Sequence, residues 1–162
     1  MVPALWALTG GGDDVGDRVL DIGHHALVPD MSAVEDEDGW CFAFVEDLVT
    51  QLRVDHRFTL LLENGIEIVV EEPFTLRGPS GFETVPPGEA VYEVQAALPL
   101  FNQRVTEMRA SRVGALRVAF DGGYEIEAAP NPAYESWQVA FPDGRMWVGA
   151  PGGDVVVFPA RP

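Results

Sequence analysis

The stretch Phe58–Val70, FTLLLENGIEIVV, can turn back on itself in two ways, and the choice decides the fold. A two-residue Asn64-Gly65 loop pairs Leu62 with Glu67 and mixes apolar and charged side chains on both faces. A three-residue Glu63-Asn64-Gly65 loop, a type I turn closed by a left-handed glycine, sets Leu62 against Ile66, Leu60 against Ile68 and Phe58 against Val70. All six are apolar and share one face. Thr59, Leu61, Glu67, Val69 and Glu71 take the other. A one-residue slip would move every side chain to the wrong side, so the three-residue loop is expected.

The same grammar returns downstream. Leu116, Val118 and Phe120 precede Asp121-Gly122-Gly123, and Tyr124, Ile126 and Ala128 follow. Arg117, Ala119, Glu125 and Glu127 point the other way. The resemblance extends upstream: Leu48-Val49-Thr50-Gln51-Leu52-Arg53 matches Arg104-Val105-Thr106-Glu107-Met108-Arg109. The first match has an offset of 56 and the hairpin match an offset of 58, so a two-residue insertion lies in the turn between. The chain is read as carrying an internal repeat, residues 48–72 and 104–128. Each copy alternates apolar and polar residues as a strand with one wet face does.

A third hairpin follows. Trp137, Val139 and Phe141 lead into Pro142-Asp143-Gly144, and Arg145, Trp147 and Gly149 return on the same face. Carried one turn back, this parity places Tyr134 with Ser136 and Gln138 outward and Glu135 inward beside Trp137. Pro151-Gly152-Gly153 turns the chain into the apolar strand Asp154–Phe158. Between the repeats a helix is expected over Glu89–Ala97, stopped by Pro99, with Ala90, Val91, Val94, Ala97 and Leu98 as its apolar stripe. The fold class is mainly β (α+β): antiparallel hairpins from a duplicated unit, forming a sandwich or partly closed barrel under one short covering helix. Residues 1–39 form an acidic, irregular N-terminal segment with Arg18–Ile22 as a short strand candidate, and 40–162 form the β-rich domain.

Charge narrows the partners. The chain of 162 residues has 26 acids against 10 bases, a net charge of −16, and all the bases are arginine. Eleven acids and one base fall in residues 1–47. Such a surface repels phosphates, which excludes nucleic acid and an anionic membrane as ligands and favours a basic protein partner. No apolar run reaches the ~18 residues of a membrane span. A cytoplasmic location is expected. The single Cys41 excludes an internal disulfide and a cysteine zinc cluster, and reads as a buried apolar residue.

Catalytic templates are missing. There is no Gly-x-Ser-x-Gly elbow, P-loop, His-Glu-x-x-His or dinucleotide fingerprint. Glu35–Asp38 lacks calcium-loop spacing. His24 and His25 are adjacent, so on a strand they would point to opposite faces and not chelate together. His56 reads as a surface residue. No enzyme activity, cofactor or metal is expected. An inward Glu135 would anchor the loop at Pro130-Asn131-Pro132, pair with Arg145, or act as a general acid or base.

The pattern Pro132-x-Tyr134-Glu135-x-Trp137, Asp143-Gly144, Pro151-Gly152-Gly153 resembles an uncharacterised family of small β-rich proteins from high-GC bacteria. Arg57-Phe58-x-Leu-x-Leu62-x-x-Gly65 and Glu72-Pro73-Phe74-Thr75-Leu76 are similar to its first half. The resemblance covers residues 46–158 and implies no enzymatic activity. Size and acidity also resemble bacterial immunity proteins. The sequence therefore predicts a non-enzymatic acidic binding module, contacting its partner through Asp36, Glu37, Asp38, Tyr134 and Glu135. The alternatives are a small-ligand binder with a pocket of Trp137, Trp147 and Tyr124, and a structural protein that forms a homodimer through its third hairpin or an edge strand.

Overall fold

The computed structural model of the chain describes residues 33–43, 46–88 and 91–160. The Arg18–Ile22 strand candidate and the His24-His25 pair lie outside the described residues. The strands are β1 Ala33–Glu35, β2 Gly39–Phe42, β3 Asp47–Val54, β4 Phe58–Leu62, β5 Glu67–Val70, β6 Phe74–Gly78, β7 Gly81–Val85, β8 Arg104–Ser111, β9 Leu116–Phe120, β10 Glu125–Ala128, β11 Trp137–Ala140, β12 Met146–Gly149 and β13 Val155–Phe158. All belong to one 13-stranded sheet of order β13-β12-β11-β5-β4-β3-β8-β9-β10-β6-β7, with the β1–β2 hairpin joined to β8. Every pairing is antiparallel, and the sheet does not close into a barrel.

The hairpins take the three-residue register. Phe58 faces Val70 and Leu60 faces Ile68; Leu116 faces Ala128 and Val118 faces Ile126; Trp137 faces Gly149 and Val139 faces Trp147. Gly65, Gly123 and Gly144 close the three turns at φ of 86°, 79° and 87°. That left-handed conformation costs glycine nothing and costs other residues a Cβ clash.

β3 and β8 meet at the middle of the sheet through Leu48↔Arg104 and Asp47↔Val105. Leu48 and Arg104 are the matching first residues of the two repeats, so a pseudo-twofold axis passes between them. Both strands carry a bulge at the same place: between Val49 and Gln51 in β3, and between Val105 and Glu107 in β8. The extra residue is Thr50 in one and Thr106 in the other. Each donates its hydroxyl across to the next strand, Thr50 to the Leu61 carbonyl and Thr106 to the Ala119 carbonyl, both at 3.2 Å. The bulge also lets Val49 and Leu52, and likewise Val105 and Met108, turn to the core although they stand an odd three positions apart.

Past its third strand each copy lends its next hairpin to the other. β5 is flanked by β11, not by β6, and β10 is flanked by β6. Two linkers, residues 71–73 and 129–136, carry the exchange. One buried cluster takes side chains from both halves, with Phe58 and Phe74 at 5.3 Å between ring centroids. Trp137 is fully buried, and its indole N–H donates to the Gly114 carbonyl at 2.7 Å, tying β11 to the β8–β9 turn.

Two expectations change, the helix and the burial of Cys41. The helix is a 3-10 helix over Val91–Leu100 with Pro99 inside it. Its buried residues Val94, Ala97 and Leu100 recur every three positions, while Leu98 is exposed. The stripe drawn at 3.6 residues per turn is therefore replaced by one at 3.0. Within the N-terminal segment the described residues include the strand β1, which pairs with β2 and places Ala33 opposite Phe42. Cys41 is half-buried, on β2 between Val34 and Arg109.

Candidate functional site

The two exchange linkers cross at one place, and two of the residues singled out by the sequence, Tyr134 and Glu135, stand there. Glu71 follows β5, and its N–H donates to the Ser136 carbonyl at 3.0 Å. Asn131 shapes the longer linker: its Oδ1 accepts the N–H groups of Ala133 at 2.7 Å and Tyr134 at 3.0 Å. Its carbonyl accepts the Gly152 N–H, which fixes the linker to the β12–β13 turn. Asparagine is suited to this because its side chain imitates a backbone turn.

This local turn overrides the strand parity. Regular pairing starts at Trp137, so positions 134–136 do not alternate with it. Glu135 is exposed rather than inward, and Ser136 is fully buried rather than outward, its Oγ without a hydrogen-bond partner. Glu135 neither anchors the loop, which Asn131 does, nor pairs with Arg145, which lies 2.6 Å from Asp143. Tyr134 is outward as expected, 68% exposed.

Gln138 organises the carboxylates. Its Nε2 donates to Glu71 Oε1 at 2.7 Å and to Glu135 Oε2 at 3.2 Å. One amide therefore holds two carboxylates, one from each linker, beside an exposed tyrosine. Neither carboxylate is in an ion pair among the described residues. The guanidinium groups are engaged elsewhere: Arg53 with Glu67, Arg57 with Asp55, Arg77 with Glu125 and Glu127, Arg117 with Glu107 and Glu125.

The acidic hairpin tip is a separate place. Asp36 Oδ1 accepts the N–H groups of Asp38 and Gly39, closing the β1–β2 turn. Its other oxygen meets Arg109. That guanidinium, with the two amides, holds the Asp36 carboxyl below the usual range. Arg112 bonds Glu35 at 2.9 Å and the carbonyls of Asp36 and Glu37, and its guanidinium lies 5.5 Å from the centre of the Trp40 ring. Asp36 is thus spent on holding the turn, while the Glu37 and Asp38 side chains are in no ion pair among the described residues. The sequence carried a sign of this clamp in Arg109, near the end of β8, and Arg112, just after it.

The aromatic trio does not form one pocket. Trp137 is core. Trp147 packs on Trp40 at 5.8 Å and Phe42 at 5.0 Å. Tyr124 borders a different hollow, about 180 Å³, with Leu76, Pro79, Phe82 and Glu83. Among the described residues no three His, Cys, Asp or Glu side chains gather as a metal site, and no helix is long and apolar enough to cross a membrane.

The linker crossing and strands β3 to β13 fall inside a stretch that matches a known protein family. The chain belongs to DUF6188, a family of unknown function, whose model matches residues 40–159. No curated protein and no solved structure matches the chain. The DUF6188 stretch includes Glu71, Tyr134, Glu135 and Gln138, and begins after the acidic tip at Asp36–Asp38.

Proposed function

We propose that the protein is a non-catalytic, cytoplasmic binding module that docks a basic protein partner where its two linkers cross. One observation carries the reading: the Gln138 amide fixes the Glu71 and Glu135 carboxylates together beside the exposed Tyr134. Two carboxylates held by a neutral amide, with no ion pair among the described residues, are open to an incoming arginine or lysine. A tyrosine alongside offers a large contact area for little loss of side-chain freedom. The net charge of −16 steers such a partner from a distance, and Glu37 and Asp38 add to that field. A toxin-neutralising, immunity-like role is the narrower form of this reading, with a basic toxin as the partner.

The test compares capture from the native host by the unaltered chain and by Tyr134→Ala and Glu135→Gln, at low and at high salt. A specific partner held at low salt, released at high salt and lost from both variants supports the proposal. Equal capture by the variants, or binding that salt does not weaken, overturns it.

A further inference from the structure

The two ends of the strand path from β13 to β7 are finished differently. At one, β7 has the 3-10 helix packed against it, carries Glu83 within the strand and runs into Pro86-Pro87. Charge, proline and a covering element are the means by which edge strands avoid pairing with other chains. At the other margin β13 lies beyond β12, has no charge or proline within its span, and is paired on its outer side by no strand among the described residues. Its four residues are Val155, Val156, Val157 and Phe158, with the last three 39%, 48% and 47% exposed.

The backbone direction of this edge can be read from one bond. The Ala150 N–H donates to the Asp154 carbonyl at 2.8 Å. Bonded pairs in an antiparallel ladder recur at every second residue, so Val156 and Phe158 direct their backbone groups to Val148 and Met146 of β12. Val155 and Val157 direct theirs outward. Pro159 has the outward parity and no N–H, which ends the open edge there.

We propose that β13 is the contact edge of a homodimer, with two copies pairing antiparallel and Val156 on the twofold axis. In that register Val155 of each copy meets Val157 of the other, and their outward N–H and C=O groups make four hydrogen bonds. The Val156 side chains meet across the axis. The outer-face row Thr59–Val69–Gln138–Val148–Val156 then runs on into the same row of the second copy. Asp154 lies opposite Phe158 of the other copy, so no like charges face each other. The two Asp154 carboxylates stand about 13 Å apart along the strands, beyond the ~8 Å screening length at physiological salt. Overall repulsion between two chains of net charge −16 is long-ranged and is what salt removes, whereas the contact itself is apolar and backbone-bonded. Val155–Phe158 offers no carboxylate to a basic strand, and the edge is complementary to itself in this register, which favours a second copy as the occupant. Such a dimer tightens as salt rises, which separates the test from that of the linker-crossing proposal.

The test is sedimentation equilibrium of the full chain across concentration, at low and at high salt, with Val157→Pro and Val156→Lys. Val157→Pro removes an outward N–H that β12 does not use. Val156→Lys opposes two ammonium groups on the axis. The expected result is a reversible dimer whose dissociation constant falls about tenfold or more from low to high salt, and two variants that stay monomeric with unchanged circular dichroism. A full chain that remains monomeric at high salt overturns the proposal. So does a dimer that persists in both folded variants, or slow amide exchange at Val155 and Val157 in a monomer.

Discussion

On the outer side of β8, β9, β10 and β6, one row reads Arg109, Arg117, Glu127, Thr75 and the next reads Glu107, Ala119, Glu125, Arg77. At the matching positions of β3, β4, β5 and β11 the rows read Arg53, Thr59, Val69, Gln138 and Gln51, Leu61, Glu67, Ala140. The backbone of the two halves agrees down to the bulge and its threonine, but the side chains on the outer faces have parted. One face is tied by Arg77, Arg117, Glu107, Glu125 and Glu127 in a chain of ion pairs. The other has no such chain of ion pairs among the described residues and turns apolar towards β13 through Val69, Val148 and Val156, with Val69 and Val148 7% and 3% exposed. A duplicated unit needs its inner face and its turns to stay the same for the core to close. Its outer faces are free to take different work, and the apolar one leads to the bare edge at β13.

The largest test of the shared core compares Trp137 with Phe74, the buried first residues of the exchanged hairpins. Trp137→Ala removes a large side chain and leaves the Gly114 carbonyl unpaired. It is expected to cost about 5 kcal/mol, against about 3–4 kcal/mol for Phe74→Ala. Trp137→Phe isolates the hydrogen bond and part of the volume, at about 2 kcal/mol. Denaturant unfolding measures all three. Equal losses at Trp137 and Phe74 would mean that the bond to Gly114 contributes nothing.

The outer faces are separated by a smaller effect at one repeat position. Glu125 receives two bonds of 2.7 Å from Arg117 and lies 3.8 Å from Arg77. Glu67, its counterpart, meets Arg53 alone at a more exposed site. Glu125→Gln is expected to cost about 1 kcal/mol and Glu67→Gln about 0.3 kcal/mol, both shrinking in high salt. A reversed order would show that the ion-pair chain does not support its half more than the single pair does.

How much of this was legible is best judged at particular residues. Leu60, Ile68, Val118 and Ile126 gave the hairpins, because a turn glycine and a period of two leave one register with a clean face. The bulge was signalled only indirectly, by Val49 and Leu52 both being apolar at a spacing that a flat strand cannot bury on one side. The exchange of hairpins was not legible, since β5–β6 and β5–β11 pairings satisfy the same local pattern and only the shared core chooses between them. Glu135 was misplaced because Asn131 takes the linker out of strand geometry before Trp137. The crossing of the linkers, which joins Glu71 to Gln138 across a long stretch of chain, is a product of that exchange and has no local signature.

Asp47 offers a test with the opposite sign. It sits beside the pseudo-twofold axis, and burial, with the nearby Glu63 charge, raises its carboxyl pKa. A carboxyl whose pKa is raised on folding binds its proton more tightly in the folded state. The folded chain therefore loses stability from this group as pH climbs through the ordinary carboxylate value to the raised one, and stays lower above it. Asp47→Asn is expected to raise the thermal midpoint at neutral pH, with a gain that narrows towards zero in acid. The counterpart on the other half is Gln103, already neutral, and Gln103→Glu is expected to lower the midpoint at neutral pH. Thermal scans across pH check both, and a gain for Asp47→Asn that persists unchanged in acid would assign it to packing rather than charge.

Another small effect tests where the halves agree. Thr50 and Thr106 are both exposed, and each gives one hydroxyl bond at 3.2 Å to the carbonyl across its bulge. Replacing either with valine keeps the shape and removes the bond, at about 0.5 kcal/mol each in an exposed setting. The two sites share no partner, so the double variant should lose about 1 kcal/mol, the sum of the two. Denaturant midpoints with an unchanged slope would show that the bulges survive and only the bonds are gone. If one threonine mattered and the other did not, the bulge in the indifferent half would be held by its ladder alone. The agreement between the copies would then be one of shape and not of energy.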